Sequence, residues 1–112
     1  MDFGSWELKK WNELDRQEVG IWKNDFVNEC PPNGESYIDF SMKSVFFFDK
    51  LVKVCTATDK ILLTTHSGVI RAIICHVLNM SLAHSFNFDV DFGSISKIEV
   101  VEGWYKVSYL NH

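Results

Sequence analysis

At 112 residues the chain has room for one domain at most. Hydrophobic residues make up 46% and charged residues 23%, close to the globular average, which excludes disorder as a description of the whole chain. The net charge of −4, with histidines neutral, argues against a general nucleic-acid binder, and no run of about 18 apolar residues exists to cross a membrane. The opening residues, Met1-Asp2-Phe3-Gly4-Ser5-Trp6-Glu7, lack the basic-then-apolar order of a secretory leader.

Cysteines stand at 30, 55 and 75, an odd number with no two or three close together. That spacing fits neither a disulfide framework nor a structural zinc site, and it reads as free thiols in a reducing cytoplasm. No cofactor or metal is expected.

In chain order, residues 6–15 repeat Leu8, Trp11 and Leu14 at helical spacing, which predicts a short helix. A second is expected over 17–28, with Val19, Trp22 and Phe26 on one face. Trp6, Trp11 and Trp22 are read as core rather than as ligand-stacking rings. Cys30-Pro31-Pro32-Asn33-Gly34 then breaks the chain. Ser36, with Asp39 three residues on, resembles a capping box and opens a long amphipathic helix from 36 to about 56. Ile61-Leu62-Leu63-Thr64-Thr65 is a short unalternating apolar run, the pattern of a strand buried on both faces in a parallel sheet. A buried helix is predicted over 69–80. Two strands, 94–101 and 104–110, are joined by Glu102-Gly103 as an antiparallel hairpin. The class is α/β.

The candidate site is the junction after the apolar run. A histidine there, His66, ends a strand and precedes a helix, the place where open α/β sheets bind ligands. Ser67 and Gly68 are small enough for a ligand to approach the backbone, and a helix N-terminus favours an anion such as phosphate. Taken alone, the pattern also fits a structural histidine. Arg71 can reach an anion or carry its charge out to solvent. Glu35 brings a carboxylate toward the same sheet end, or belongs to a plain turn before the cap at Ser36. His76, His84 and His112 have no partners at ligand spacing and are read as structural or surface residues.

Three segments in this order carry a resemblance: Met1-Asp2-Phe3-Gly4-Ser5-Trp6-Glu7, Gly34-Glu35-Ser36, and Leu63-Thr64-Thr65-His66-Ser67-Gly68-Val69-Ile70-Arg71-Ala72. Together they resemble the C-terminal half to two-thirds of the histidine phosphatase superfamily, the phosphoglycerate-mutase-like enzymes. The bacterial α-ribazole phosphatase branch is the most similar. The resemblance implies a three-layer α/β/α sheet, truncated at the N-terminus and carrying a C-terminal hairpin, with residues 1–112 as a single partial domain. It implies phosphoryl transfer through a phosphohistidine, on a phosphorylated small molecule of the α-ribazole 5′-phosphate kind. His66 matches the family's second histidine, which binds the phosphoryl group and stabilises transition-state charge. Ser67, Gly68, Glu35 and Arg71, read above from the residues themselves, are the candidate substrate-binding residues.

The chain departs sharply from that pattern. It contains no Arg-His-Gly, the motif that supplies the family's nucleophile, and its only arginines are Arg16 and Arg71. Phosphoryl transfer needs a nucleophile, charge neutralisation and leaving-group protonation in one place. The expectation is therefore a fragment without activity by itself, or else a non-catalytic phosphate-binding or assembly module. A strand at 61–65 without its family neighbour would also present an open edge, which predicts a homodimer or higher self-association.

Overall fold

The computed structural model describes residues 1–112. It comprises two compact units, 1–42 and 43–112.

The first unit is organised by aromatic rings. Its opening segment is not the short helix that the spacing of Leu8, Trp11 and Leu14 predicts. Two 3-10 turns, Gly4–Trp6 and Trp11–Glu13, flank Leu8, whose φ of 62° no right-handed helix accommodates. Helix α1 follows over Arg16–Asn24. Asp15 caps it, its carboxylate accepting from the amides of Gln17 and Glu18 at 2.9 and 3.0 Å. Trp22 on α1 meets Phe3, Trp6, Trp11 and Phe26 at centroid distances of 5.8–6.5 Å. Trp6 is buried, as expected for core, whereas Trp11 stays 60% exposed.

Helix α2 spans Tyr37–Val54. Ser36 caps it as predicted, its Oγ accepting from the Asp39 amide at 3.2 Å.

In the second unit the apolar run 61–65 is not a strand. It makes no ladder and its residues are exposed. Parallel pairing needs a neighbour strand distant in sequence, and none of the other segments here supplies one. Helix α3 spans Ser67–Val77, beginning two residues earlier than predicted. It buries Ala72, Ile73, Ile74 and Cys75, and burial pushes the Cys75 thiol above its ordinary value against the opposing charge of Arg71.

The hairpin forms as the sequence predicts, with slightly shorter strands. Strand β1 (Lys97–Val101) pairs antiparallel with β2 (Trp104–Tyr109), and together they are the whole sheet. Glu102 and Gly103 both take positive φ, 50° and 76°, as a two-residue primed turn requires. Two further bonds, 3.1 and 2.9 Å, pair Ile95 with His112 and tie down the C-terminus. Tyr105 packs on Phe48 of α2 at 5.9 Å and near His76 of α3 at 6.3 Å. Asp49 accepts from His76 Nε2 at 3.0 Å. Burial, and then the Asp49 carboxylate, push the Tyr105 phenol up. One carboxylate thus joins α2, α3 and the hairpin.

Candidate functional site

His66 is the N-cap of α3. Its backbone is extended, with φ −97° and ψ 159°, and its carbonyl accepts from the amides of Val69 and Ile70 at 3.1 and 3.2 Å. Its ring neither caps the helix nor makes another hydrogen bond or ion pair, and the residue is exposed. Ser67 is exposed and Gly68 half-buried in the first turn. The three residues therefore stand together at the positive end of an 11-residue helix dipole. An imidazole N–H, a hydroxyl and helix-end amides can all donate to the oxygens of one phosphoryl group.

Arg71, one turn further along, is anchored through one of its guanidinium nitrogens. Its Nη1 donates to the carbonyls of Ser85 and Phe88. Its guanidinium also lies 4.7 Å from the Phe86 ring centre and 5.4 Å from that of Phe88. The charge is spent holding the 85–88 turn against α3, with Ser85 fully buried beneath it. No sequence signal marks this, because the acceptors are main-chain carbonyls 14 and 17 residues away.

Glu35 belongs to the first unit, where the first two motif segments meet. The Glu35 amide donates to the Asp2 carbonyl, and the Asp2 amide donates back to Glu35 Oε1, each at 2.9 Å. The Ser5 amide donates to the Pro32 carbonyl at 2.8 Å, and Asn33 donates to Ser5 Oγ at 2.9 Å. Two glycines permit this approach. A Cβ on Gly4, whose φ is +54°, would lie 2.2 Å from the Pro32 oxygen, and one on Gly34 would lie 2.6 Å from the Asp2 oxygen. Of the five predicted site residues, then, three stand at one helix start, Arg71 lies one turn along the same helix with its Nη1 on the 85–88 turn, and Glu35 closes a turn in the other unit.

Comparison with known proteins places this geometry in a family. The chain belongs to the histidine phosphatase superfamily, branch 1, whose family model matches residues 1–112. It is 30% identical over 114 residues to the adenosylcobalamin/α-ribazole phosphatase of Salmonella typhimurium, covering 99% of this chain and 56% of that protein. The Escherichia coli protein of the same name is 29% identical with the same coverage. Among solved structures, the α-ribazole phosphatase from Shigella flexneri superposes with a TM-score of 0.88 at 29% identity, over 100% of this chain and 56% of that one. The chain thus spans about half the length of the relatives it matches. The expected phosphoglycerate-mutase-like α/β fold is the one it shares with these structures. No helix is long and apolar enough to cross a membrane.

Proposed function

We propose that the chain contributes the second-histidine side of a phosphomonoesterase site, for a substrate of the α-ribazole 5′-phosphate kind. The observation that carries this reading is His66 at the start of α3, exposed and unpaired beside Ser67 and Gly68. In this role the His66 ring and the helix end hold the phosphoryl oxygens and offset the charge that builds during transfer. Gly68 adds no side chain to this helix start. Arg71 and Glu35, expected from the sequence to bind substrate, hold the 85–88 turn and the turn before α2.

The phosphohistidine mechanism also requires an attacking imidazole, supported by arginines. Of the other three histidines, His76 is bonded to Asp49, and neither His84 nor His112 lies in an Arg-His-Gly context. The chain by itself is therefore expected to release no phosphate from an aryl phosphate above a His66→Ala control. Turnover that exceeds that control, with contaminating phosphatase excluded, would show the nucleophile to be within these 112 residues.

A second reading, assembly, is favoured by the run ahead of His66. Ile61, Leu62 and Leu63 are 51%, 84% and 41% exposed in a segment with no ladder partner. Unpaired backbone and bare leucines are a template for another strand. The chain is expected to sediment as a dimer or larger species at micromolar concentration, and Leu62→Lys is expected to shift it toward monomer. Because Leu62 is exposed, that substitution leaves the fold alone. A wild-type chain that stays monomeric throughout the concentration series would remove this reading.

A further inference from the structure

Helix α1 carries a pattern that the phosphoryl site does not use. Arg16, Gly20 and Lys23 are spaced i, i+4 and i+7, which sets them in one stripe with the glycine between two cations. With Trp11, Leu14 and Val19 they line an open cleft of about 300 Å³ within the first unit. Trp11 supplies a flat wall. Its indole is held at 6.4 Å from Trp6 and 6.0 Å from Trp22, yet the residue remains 60% exposed.

Four further facts point to a ligand of defined chemistry. Neither Arg16 nor Lys23 makes an ion pair or hydrogen bond with another side chain. Of the nearby carboxylates, Asp15 accepts the α1 amides and Glu13 accepts the Lys10 amide at 3.0 Å, while Glu18, two residues from Arg16, is set off the stripe by the helical period. Arg71 is the other arginine and bonds two main-chain carbonyls, whereas the Arg16 guanidinium bonds none, in a chain with net charge −4. Finally, a glycine inside a helix costs about 0.5–1 kcal/mol relative to alanine. Nothing in the fold demands that cost at Gly20, because its φ is not positive and an added Cβ would meet no atom within 4 Å.

We propose that this cleft binds an aromatic anion. The ring lies against the Trp11 indole over the bare backbone of Gly20, and the anionic group is met by Arg16 and Lys23. A guanidinium and an ammonium seven residues apart, each without a partner, suit a phosphate, sulfonate or carboxylate carried at the edge of a flat ring. An aromatic platform with room above it suits the ring. His66 is not among the residues lining the cleft, and the proposal does not depend on the phosphomonoesterase reading.

The test follows the Trp11 indole N–H by NMR in the full chain, its resonance assigned with Trp11→Phe, during titration with phenyl phosphate. Inorganic phosphate and phenol serve as separate arms. A progressive Trp11 shift is expected with phenyl phosphate, and a much weaker response with either half alone. Arg16→Gln and Lys23→Gln should each weaken binding about fivefold, as expected for one exposed charged contact. Gly20→Met fills the cleft with a good helix former, so the shift should vanish while helical circular dichroism is kept or raised. The proposal is overturned if Gly20→Met binds phenyl phosphate as the wild type does, if phenol alone reproduces the shift, or if Trp11 does not respond. Because His66 is in neither the cleft nor these variants, failure here leaves the phosphoryl site untouched.

Discussion

Gly4→Ala is expected to destabilise the first unit by about 3 kcal/mol or more, a large part of the roughly 5–15 kcal/mol that holds a small domain folded. Two penalties combine. A φ of +54° is strained for any residue with a Cβ, and that Cβ would meet the Pro32 oxygen at 2.2 Å and the Gly34 nitrogen at 2.4 Å, both main-chain atoms that cannot swing aside. The backbone contact between the first two motif segments should open, taking the Trp6–Trp22 packing with it. Urea denaturation followed by near-ultraviolet circular dichroism reads this directly. Gly103→Asn supplies the comparison: φ is also positive, at 76°, but nothing lies within 4 Å, and asparagine tolerates that conformation. It should cost under about 1 kcal/mol. Equal effects at the two glycines would show that Gly4 is chosen for its φ alone.

Arg71→Met should cost about 2–4 kcal/mol while preserving most of the stem. It strands the Ser85 and Phe88 carbonyls and removes the cation from between two phenylalanine rings. Arg71→Lys should recover only part of this, because an ammonium lacks the flat face that lies against the rings. The measurement is the denaturation midpoint at unchanged slope. If stability is unaltered while phosphate binding falls, Arg71 is a ligand for the anion and the packing role is wrong.

These two residues also mark how far the sequence could be read. Local signals were legible. Ser36 caps α2, and Glu102-Gly103 turns the hairpin, because a side-chain cap and a primed turn are decided within four residues. The helix that follows His66 is legible for the same reason, whereas the strand expected to end at His66 does not form. Signals that depend on distant partners misled. Residues 61–65 have the composition of a buried strand, but composition cannot supply the neighbour that makes a ladder. The periodicity of Leu8, Trp11 and Leu14 was that of a helix, yet packing around Trp22 set two short turns there instead. The fate of Arg71 was invisible, because a main-chain carbonyl has no letter in the sequence. The stripe of Arg16, Gly20 and Lys23 takes its meaning only from the structure, through the exposed Trp11 that shares its cleft.

The central claim, that the start of α3 receives a phosphoryl group through His66, is tested most directly by titrating the chain with inorganic phosphate. The readouts are the His66 imidazole and the Ser67 and Gly68 amides by NMR. A helix end contributes only about 0.3–1 kcal/mol to an exposed anion, so binding should be weak. The account predicts saturable shifts at those three residues and their loss in His66→Ala, whose fold is unaffected because the ring makes no contact that holds the chain. Shifts confined to other residues, or the same shifts at Ser67 and Gly68 in His66→Ala, would contradict it.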